Sequence, residues 1–423
     1  MSIDSLRSIK GTHDILPDQS GRWQELELHL HGFMDRYGYR EIRTPVFEKT
    51  ELFARGVGAE TDIVSKEMYT FRDMSDASIT LKPELTAPVI RAYLQHNLGK
   101  QSPLTKLYYI GSAFRQERPQ AGRYRQFHQY GVEALGSAYP EIDAEIIALA
   151  YNSMKEFGLD QLTIKLNSIG SGDCRSSYRQ ALQDYLRPYL NDLSETSRRR
   201  FDSNPLRILD TKLPHEQAIM ADAPAITAYL TADDSAHYDE VKSLLNSLKI
   251  PFDEEPTLVR GLDYYTRTTF EITSPVLGAQ SSVCGGGRYD GLVETLGGPP
   301  TPGIGFAAGI ERVLLAREAA GVESEPPGCE VYLVAADDAG RVKAFELLQQ
   351  LRDHGVSCDT DFLRRSLKAQ LREANRLNAG HALIIGGAEL ANDTVQFKDL
   401  SGGAQETLPV YTAINRLVGL TDQ

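Results

Sequence analysis

Four arginines crowd a short polar stretch of this chain. Arg115, Arg118, Arg123 and Arg125 lie in FRQERPQAGRYRQF, with Glu117 as the single acid among them. A guanidinium pairs bidentately with phosphate oxygens and keeps its charge, so arginines at the base of two strands suit a clamp for a polyphosphate. Phe127 follows closely and offers a flat face on which a base can stack, with an arginine over the other side. A solvated hairpin tip would explain the arginines alone; their adjacency to Phe127 favours the clamp. A second cluster, VRGLDYYTR at 259–267, sets Arg260, Asp263, Tyr264, Tyr265 and Arg267 around Gly261. By composition alone it reads as a solvated edge strand, since tyrosine is common in strands.

Two glycine-rich stretches carry weaker signals. GIGFAAG at 303–309 has the spacing of a dinucleotide fingerprint, but it follows GGPPTP rather than a strand and lacks the acidic ribose partner, which argues against that fold. CGGGRYDGL at 284–292 is either a tight turn or a place where backbone approaches a ligand closely.

These residues need a scaffold. KLYYIGSAFR at 106–115 and QFHQYGVEAL at 126–135 read as two antiparallel strands on either side of the arginine loop. A helix is expected at 20–37, capped by Ser20 and ended before Pro45, and another at 140–157. Residues 172–250 turn helical, with the basic run Arg198 to Arg200, and read as an inserted module. Strand signals return at 257–287, and GIGFAAGIERVLLARE reads as a helix reached through glycines. GVESEPPG at 321–328 has linker composition. Beyond it, alternating strands and helices imply a small α/β domain with a mostly parallel sheet, including a helix through Phe345, Leu348 and Leu351 and a basic one at 363–379.

The net charge of −13, from 45 basic and 58 acidic residues, argues against non-specific nucleic-acid or membrane binding while permitting an RNA partner held by a local basic patch. Cys174, Cys284, Cys329 and Cys358 are widely spaced, show no metal-binding pattern and read as reduced thiols; no metal site is expected. The start MSIDSLRSIKGTHDILP lacks an apolar core, and no apolar run reaches the roughly 18 residues of a membrane span. The expectation is a cytoplasmic protein, neither secreted nor membrane-spanning.

Taken together, the stretches have a family likeness. FRQERPQAGRYRQFHQYGVE resembles motif 2 of class II aminoacyl-tRNA synthetases and GIGFAAGIER resembles their motif 3. VRGLDYYTR and GGGRYDGL resemble signatures of histidyl-tRNA synthetases, as do KGTHDILP and LKPELTAP, and the likeness spans nearly the whole chain. It implies an α+β catalytic domain built on an antiparallel sheet at 1–325, with the helical insertion at about 172–250, and an α/β anticodon-binding domain at 326–423.

The resemblance also implies roles. L-histidine would be activated with ATP and Mg²⁺, then transferred to the terminal adenosine of tRNA(His) by a homodimer. Arg115, Arg260 and Arg312 would be catalytic, with Arg260 between the substrate carboxylate and the α-phosphate. ATP would meet Arg115, Arg123, Phe127 and Arg312. Glu84, Leu85, Thr86 and Gln129 would surround the backbone end of histidine. Glu133, Tyr264, Tyr265 and Tyr289 would surround its imidazole, and Arg115 and Arg260 would complete the pocket. Lys10 and Lys82 stand where arginine is common in the family, and Leu85 where glycine is frequent. Arg364, Arg365, Lys368, Arg372 and Arg376 would form an RNA-facing surface. Two other classes compete: a catalytically inactive regulatory subunit of ATP phosphoribosyltransferase in histidine biosynthesis, and an RNA-binding stress sensor built on a dead synthetase domain.

Overall fold

A strand with one packed face must alternate large and small or apolar and polar residues, and this rule arranges the larger part of the molecule. The computed structural model describes residues 6–58, 61–322 and 328–419. It divides into two units, Met1–Glu323 and Ser324–Gln423. The linker expected at 321–328 falls mainly on residues 323–327, outside the described residues.

The first unit lays down β1 (Arg40–Glu41) and a small antiparallel sheet of β2 (Phe47–Lys49), β3 (Tyr69–Arg72) and β4 (Ser78–Leu81). Next come the hairpin β5 (Thr105–Phe114) and β6 (Gln126–Leu135), then β7 (Thr163–Ser168), β8 (Asp253–Glu254), β9 (Thr266–Thr273), β10 (Ser282–Arg288) and β11 (Gly303–Gly309). With β1 they form an eight-stranded sheet in the order β1-β5-β6-β11-β10-β9-β7-β8. Its inner strands pair antiparallel, and only the short edge strands β1 and β8 join parallel.

One face of this sheet is packed. Tyr130, Val132, Phe270, Ile272, Ile304 and Phe306 meet Ile146, Ile147, Ala150 and Met154 of the helix Pro140–Glu156. Leu26, Leu30, Phe33 and Met34 of the helix Pro17–Arg36 close the same core. That helix starts three residues before the expected cap: Pro17 occupies the first turn, where its missing N–H costs nothing, and Ser20 lies inside the helix.

The helical stretch also ends differently from expectation. Tyr238, Val241 and Leu245 of the helix Ala232–Ser247 belong to the sheet's core beside Ile164 and Leu166. The segment between β7 and that helix has a core of its own, through Tyr178, Leu182, Leu186, Phe201, Ile208 and Met220. GIGFAAG is a strand, because Ile304, Phe306 and Ala308 point into the core while the glycines alternate with them; the helix Ile310–Ala319 begins only afterwards. CGGGR is likewise a buried strand rather than a turn. VRGLDYY is irregular, and β9 starts at Thr266.

The second unit contains β12 (Val331–Ala335), β13 (Cys358–Thr360), β14 (His381–Ile385), β15 (Thr394–Asp399) and β16 (Gln405–Pro409), in the order β13-β12-β14-β15-β16. The first three are parallel and the last two antiparallel, so the sheet is mixed rather than mostly parallel. The helix Asp338–Asp353 buries Leu347, Leu348 and Leu351 but leaves Phe345 exposed, against expectation. The basic helix runs Leu367–Arg376.

Candidate active site

The other face of the large sheet is covered over β5, where Leu107, Tyr109 and Ala113 pack against Leu85 and Val89, and elsewhere is the floor of a cleft. Strand register puts Phe127, Gln129, Gly131 and Glu133 of β6 on this face, opposite Ala113, Gly111, Tyr109 and Leu107 of β5. On the other side of β6 stand Gly309, Ala307 and Gly305 of β11, followed by Gly285 and Gly287 of β10 and then Glu271 and Thr269 of β9. The centre is almost bare backbone, and the chemically active side chains form its rim. Gly285 shows why: a Cβ there would strike the guanidinium of Arg260, which lies across it. At Gly305 a Cβ would strike the Glu133 carboxyl and the Val132 carbonyl.

Two cavities open on this floor. The smaller, of about 150 Å³, is lined by Glu84, Leu85, Thr86, Tyr109, Tyr264, Tyr265 and Tyr289 among others. The larger, of about 840 Å³, includes Arg123, Phe127, Glu271 and Arg312 in its lining. Arg115, Gln129, Arg260, Gly285 and Ala307 border both, so they mark the junction. Every residue expected at the site lines one of these cavities except Glu133, which is 1% exposed and sits behind the small one. Glu133 accepts hydrogen bonds from the hydroxyls of Tyr289 and, at 3.3 Å, Tyr109. Burial pushes its carboxyl up to about 8, although the Tyr289 bond opposes that rise. The tyrosines stack around it: Tyr264 lies 4.7 Å from Tyr265 and 5.7 Å, edge-on, from Tyr289 between ring centroids.

The three arginines are held by different means. Arg115 donates Nε to the Pro83 carbonyl at 2.9 Å and lies 5.2 Å over the Phe127 ring. One face of Phe127 is therefore covered by Arg115 itself. Arg312 donates Nε to the Gly122 carbonyl at 3.1 Å and Nη1 to the Ser282 carbonyl, tying the arginine loop to β10. Burial, and then Arg123, draw the Arg312 pKa down. Arg123 reaches Glu117 at 3.3 Å. Arg260 donates Nη1 to Glu271 at 3.0 Å, but its buried Nε has no hydrogen-bond partner, and neither has the buried Oε1 of Gln129. An unmatched donor and an unmatched acceptor at one junction are what a zwitterion would satisfy.

Glu84 has a second duty. Its two oxygens accept the Thr86 and Ala87 amides, each at 2.8 Å, at the start of the helix Thr86–Gln95. Burial raises its pKa, and those amide bonds oppose the rise. Leu85 has φ −110 and ψ −16, a conformation open to any residue, so no glycine is required there. Lys82 donates to the carbonyl and hydroxyl of Thr44, both at 3.3 Å, and lines neither cavity.

Sequence reasoning missed Tyr109 and Glu271. Tyr109 pairs with Gly131 in the hairpin register, so counting back from Glu133 along the alternation would have found it. Glu271 is the lone acid in TTFEIT, a sign that this position faces away from the core. Among the described residues no cluster of three or more histidine, cysteine or acidic side chains is poised to hold a metal, and no helix is long and apolar enough to cross a membrane.

Comparison with known proteins agrees with this geometry. Residues 11–313 match the family Histidyl-tRNA synthetase, and residues 330–420 match Anticodon binding domain. A Histidine--tRNA ligase of Moorella thermoacetica is 51% identical over 407 residues, covering 96% of this chain and 96% of that one. The apo histidyl-tRNA synthetase of S. aureus superposes with a TM-score of 0.83 at 38% identity, covering 97% of this chain and 99% of the other. A Bacillus halodurans structure titled as an ATP phosphoribosyltransferase regulatory subunit/histidyl-tRNA synthetase shares the fold at TM-score 0.66, with 21% identity over 90% of this chain and 98% of its own. With a bare-floored antiparallel sheet, three arginines around it and full-length relatives of this kind, the chain belongs to the histidyl-tRNA synthetase family.

Proposed function

We propose that the chain is a histidine–tRNA ligase that joins L-histidine to ATP as histidyl-adenylate, releasing pyrophosphate, and then passes histidine to the 3'-terminal adenosine of tRNA(His). The observation that carries the site reading is the junction of the two cavities, where Arg260 Nε and Gln129 Oε1 are buried without partners. The amino acid's carboxylate answers the donor and its ammonium the acceptor, with Glu84 and Thr86 beside the latter. The imidazole then points toward Glu133, Tyr264, Tyr265 and Tyr289. A pocket that hydrogen-bonds a ring discriminates strongly against apolar side chains, because they leave its polar groups unpaired.

ATP occupies the larger cavity. Its base lies near Phe127 and Arg312, its outer phosphates near Arg123, and its α-phosphate at the junction beside Arg115 and Arg260. The carboxylate attacks that phosphorus, a new P–O bond forms, and the bond to the β-phosphate oxygen breaks with pyrophosphate leaving. Both reactants are anions, so two fixed guanidiniums at the point of contact stabilise the charge shared in the transition state. Mg²⁺ would neutralise phosphate charge on the triphosphate, and the carboxylates Glu67, Glu117, Glu271 and Glu311 are among those lining the cavity that could hold it.

In the second unit, Arg364, Lys368 and Arg372 are exposed beside Phe362, while Arg365 and Arg376 are tied to Asp361 and Glu373. The exposed three are the proposed contacts to tRNA. Exposed Leu6, Ile9, Leu16 and Phe47 support a homodimer, and the cytoplasm is the proposed location. Histidine-driven exchange between ATP and labelled pyrophosphate tests the function. Exchange with histidine alone among the amino acids is expected; its absence would leave a regulatory role without catalysis.

A further inference from the structure

The loop that bears Arg260, Tyr264 and Tyr265 is anchored mainly outside the sheet it serves. Val259 and Tyr265 are buried in the separate core of the helical segment, with Tyr178, Leu182, Phe201 and Ile208, and Leu262 and Tyr264 pack against that core. Polar contacts repeat the pattern. Arg175 donates to the Tyr265 carbonyl at 2.9 Å. Arg207 donates to the Gly261 carbonyl and reaches Asp263 Oδ1 at 3.4 Å, while Asn204 donates to the same oxygen at 2.9 Å. At the loop's far end Arg267 adopts φ +50, a conformation rare outside glycine. Its guanidinium meets Asp234 at 2.9 Å, and Asp234 also accepts the amide and hydroxyl of Ser171, where the helical segment departs from the sheet. From the rest of the unit, Arg260 receives an ion pair with Glu271 of β9, Tyr264 also packs against the cluster of Leu135 and Tyr289, Leu262 against that of Phe53 and Val57, and the loop backbone is held at Asp263 by Val57, just after the helix Thr50–Gly56, and at Leu258 by Asn167 of β7.

We infer that the helical segment 172–231 is a brace for the 258–267 loop, and that Arg207, Asn204 and Arg175 are positioning residues for the activation step. The inference rests on the proposed reading of the cavities as the site of histidine activation. None of the three residues needs to touch a reacting atom. They fix the backbone on either side of Leu262, and so the distance from Arg260 to the junction. Displacements of about 1 Å at such a site are worth up to ~10²-fold in rate. The brace's own Arg207, Asp210 and Lys212 also line the larger cavity, so the segment forms part of the wall as well as its support.

Two readouts on the full chain test this. The first is hydrogen–deuterium exchange at backbone amides 260–265 in Arg207→Ala and Asn204→Ala, which does not depend on any substrate. Faster exchange there, with β5 and β6 unchanged, is expected; unchanged protection of the loop would overturn the brace. The second is pyrophosphate exchange driven by histidine. Asn204→Ala, at a residue that lines neither cavity, should lower kcat several-fold, on the order of tenfold at most, while leaving KM for ATP nearly unchanged; Arg207→Ala should lower kcat as well, and Arg207→Lys should recover part of that loss because it keeps the charge without the fork. Because Asn204 and Arg207 share Asp263, Arg207→Ala combined with Asp263→Ala should cost less than the sum of the two. A loosened loop with wild-type kcat would refute the positioning role, as would a loss that merely follows a lowered melting temperature and adds fully in the double variant. Failure of the unsubstituted chain to exchange with histidine would instead overturn the functional reading, while the amide measurement would still decide the brace.

Discussion

Arg115 and Arg260 border the same two cavities but reach them by different routes. Arg115 follows directly on β5, whose pairing with β6 is unbroken from Thr105 to Phe114, and its amide bonds the Arg125 carbonyl across the loop. Arg260 comes from an irregular segment whose buried side chains Val259 and Tyr265 lie in the core of the helical segment. Strand pairing places the first arginine to within the tolerance of a hydrogen-bond ladder. The second depends on the helical segment standing where it does. A group on the hairpin should therefore be robust to distant substitutions, and one on the loop sensitive to them.

The largest effect should come from attacking the rigid side where it is most deeply buried. Asp143 and Arg288 are both fully buried and pair with each other, and His237 and Thr268 also meet Asp143. Arg288 immediately precedes Tyr289, so this network fixes one wall of the small cavity. Asp143→Ala leaves the buried Arg288 guanidinium with only the partly exposed Asp290, 3.0 Å away, as counter-ion and His237 and Thr268 without their partner, and should cost about 3–5 kcal/mol of stability. Chemical denaturation checks it. A loss under ~1 kcal/mol, within the ordinary range of surface substitutions, would mean that the sheet side is less rigid than the comparison requires.

Glu133 gives a smaller effect with a pH signature. With its carboxyl near 8 in the folded protein and 4.5 ordinarily, it is neutral at pH 7. Stability tied to this shift is complete below pH 4.5 and is lost as pH rises toward 8, so Glu133→Gln should gain on the wild type across that window. Glutamine resembles the neutral acid, and Glu133→Gln should retain much of kcat/KM for histidine at pH 6 to 7 and diverge above 8, while Glu133→Ala loses roughly ten- to a hundredfold throughout. Parallel pH profiles for the wild type and both variants would place the ring contact on the tyrosines instead.

The smallest effect belongs to the second unit. Replacing Lys368 and Arg372 by glutamate should raise KM for tRNA several-fold and make that KM less dependent on added salt than in the wild type, leaving histidine-dependent pyrophosphate exchange untouched. Equal loss in both assays would remove these residues from RNA contact.

The same contrast explains how much could be read from the sequence. The hairpin was legible because 106–115 and 126–135 are rich in aromatic and β-branched residues, and the site residues Phe127, Gln129 and Glu133 share one face of its second strand. GIGFAAG carried a period of two as well, yet its glycines suggested the approach to a helix; small residues signal a strand whose outer face is left bare for a ligand, a demand that local propensity does not express. The brace was illegible for a different reason. Arg207 to Gly261, Asn204 to Asp263 and Arg175 to Tyr265 join residues more than fifty positions apart, and Val259 and Tyr265 sit in a core that neither stretch announces alone. Tertiary partners of this kind carry no periodic mark.

The central claim is that Arg260 acts where carboxylate and α-phosphate share charge, and single-turnover formation of histidyl-adenylate in Arg260→Ala tests it most directly. With ATP and histidine saturating, the rate should fall on the order of 10²-fold or more while ATP binding weakens only slightly and the fold persists. Adenylate formation at close to the wild-type rate would contradict the account.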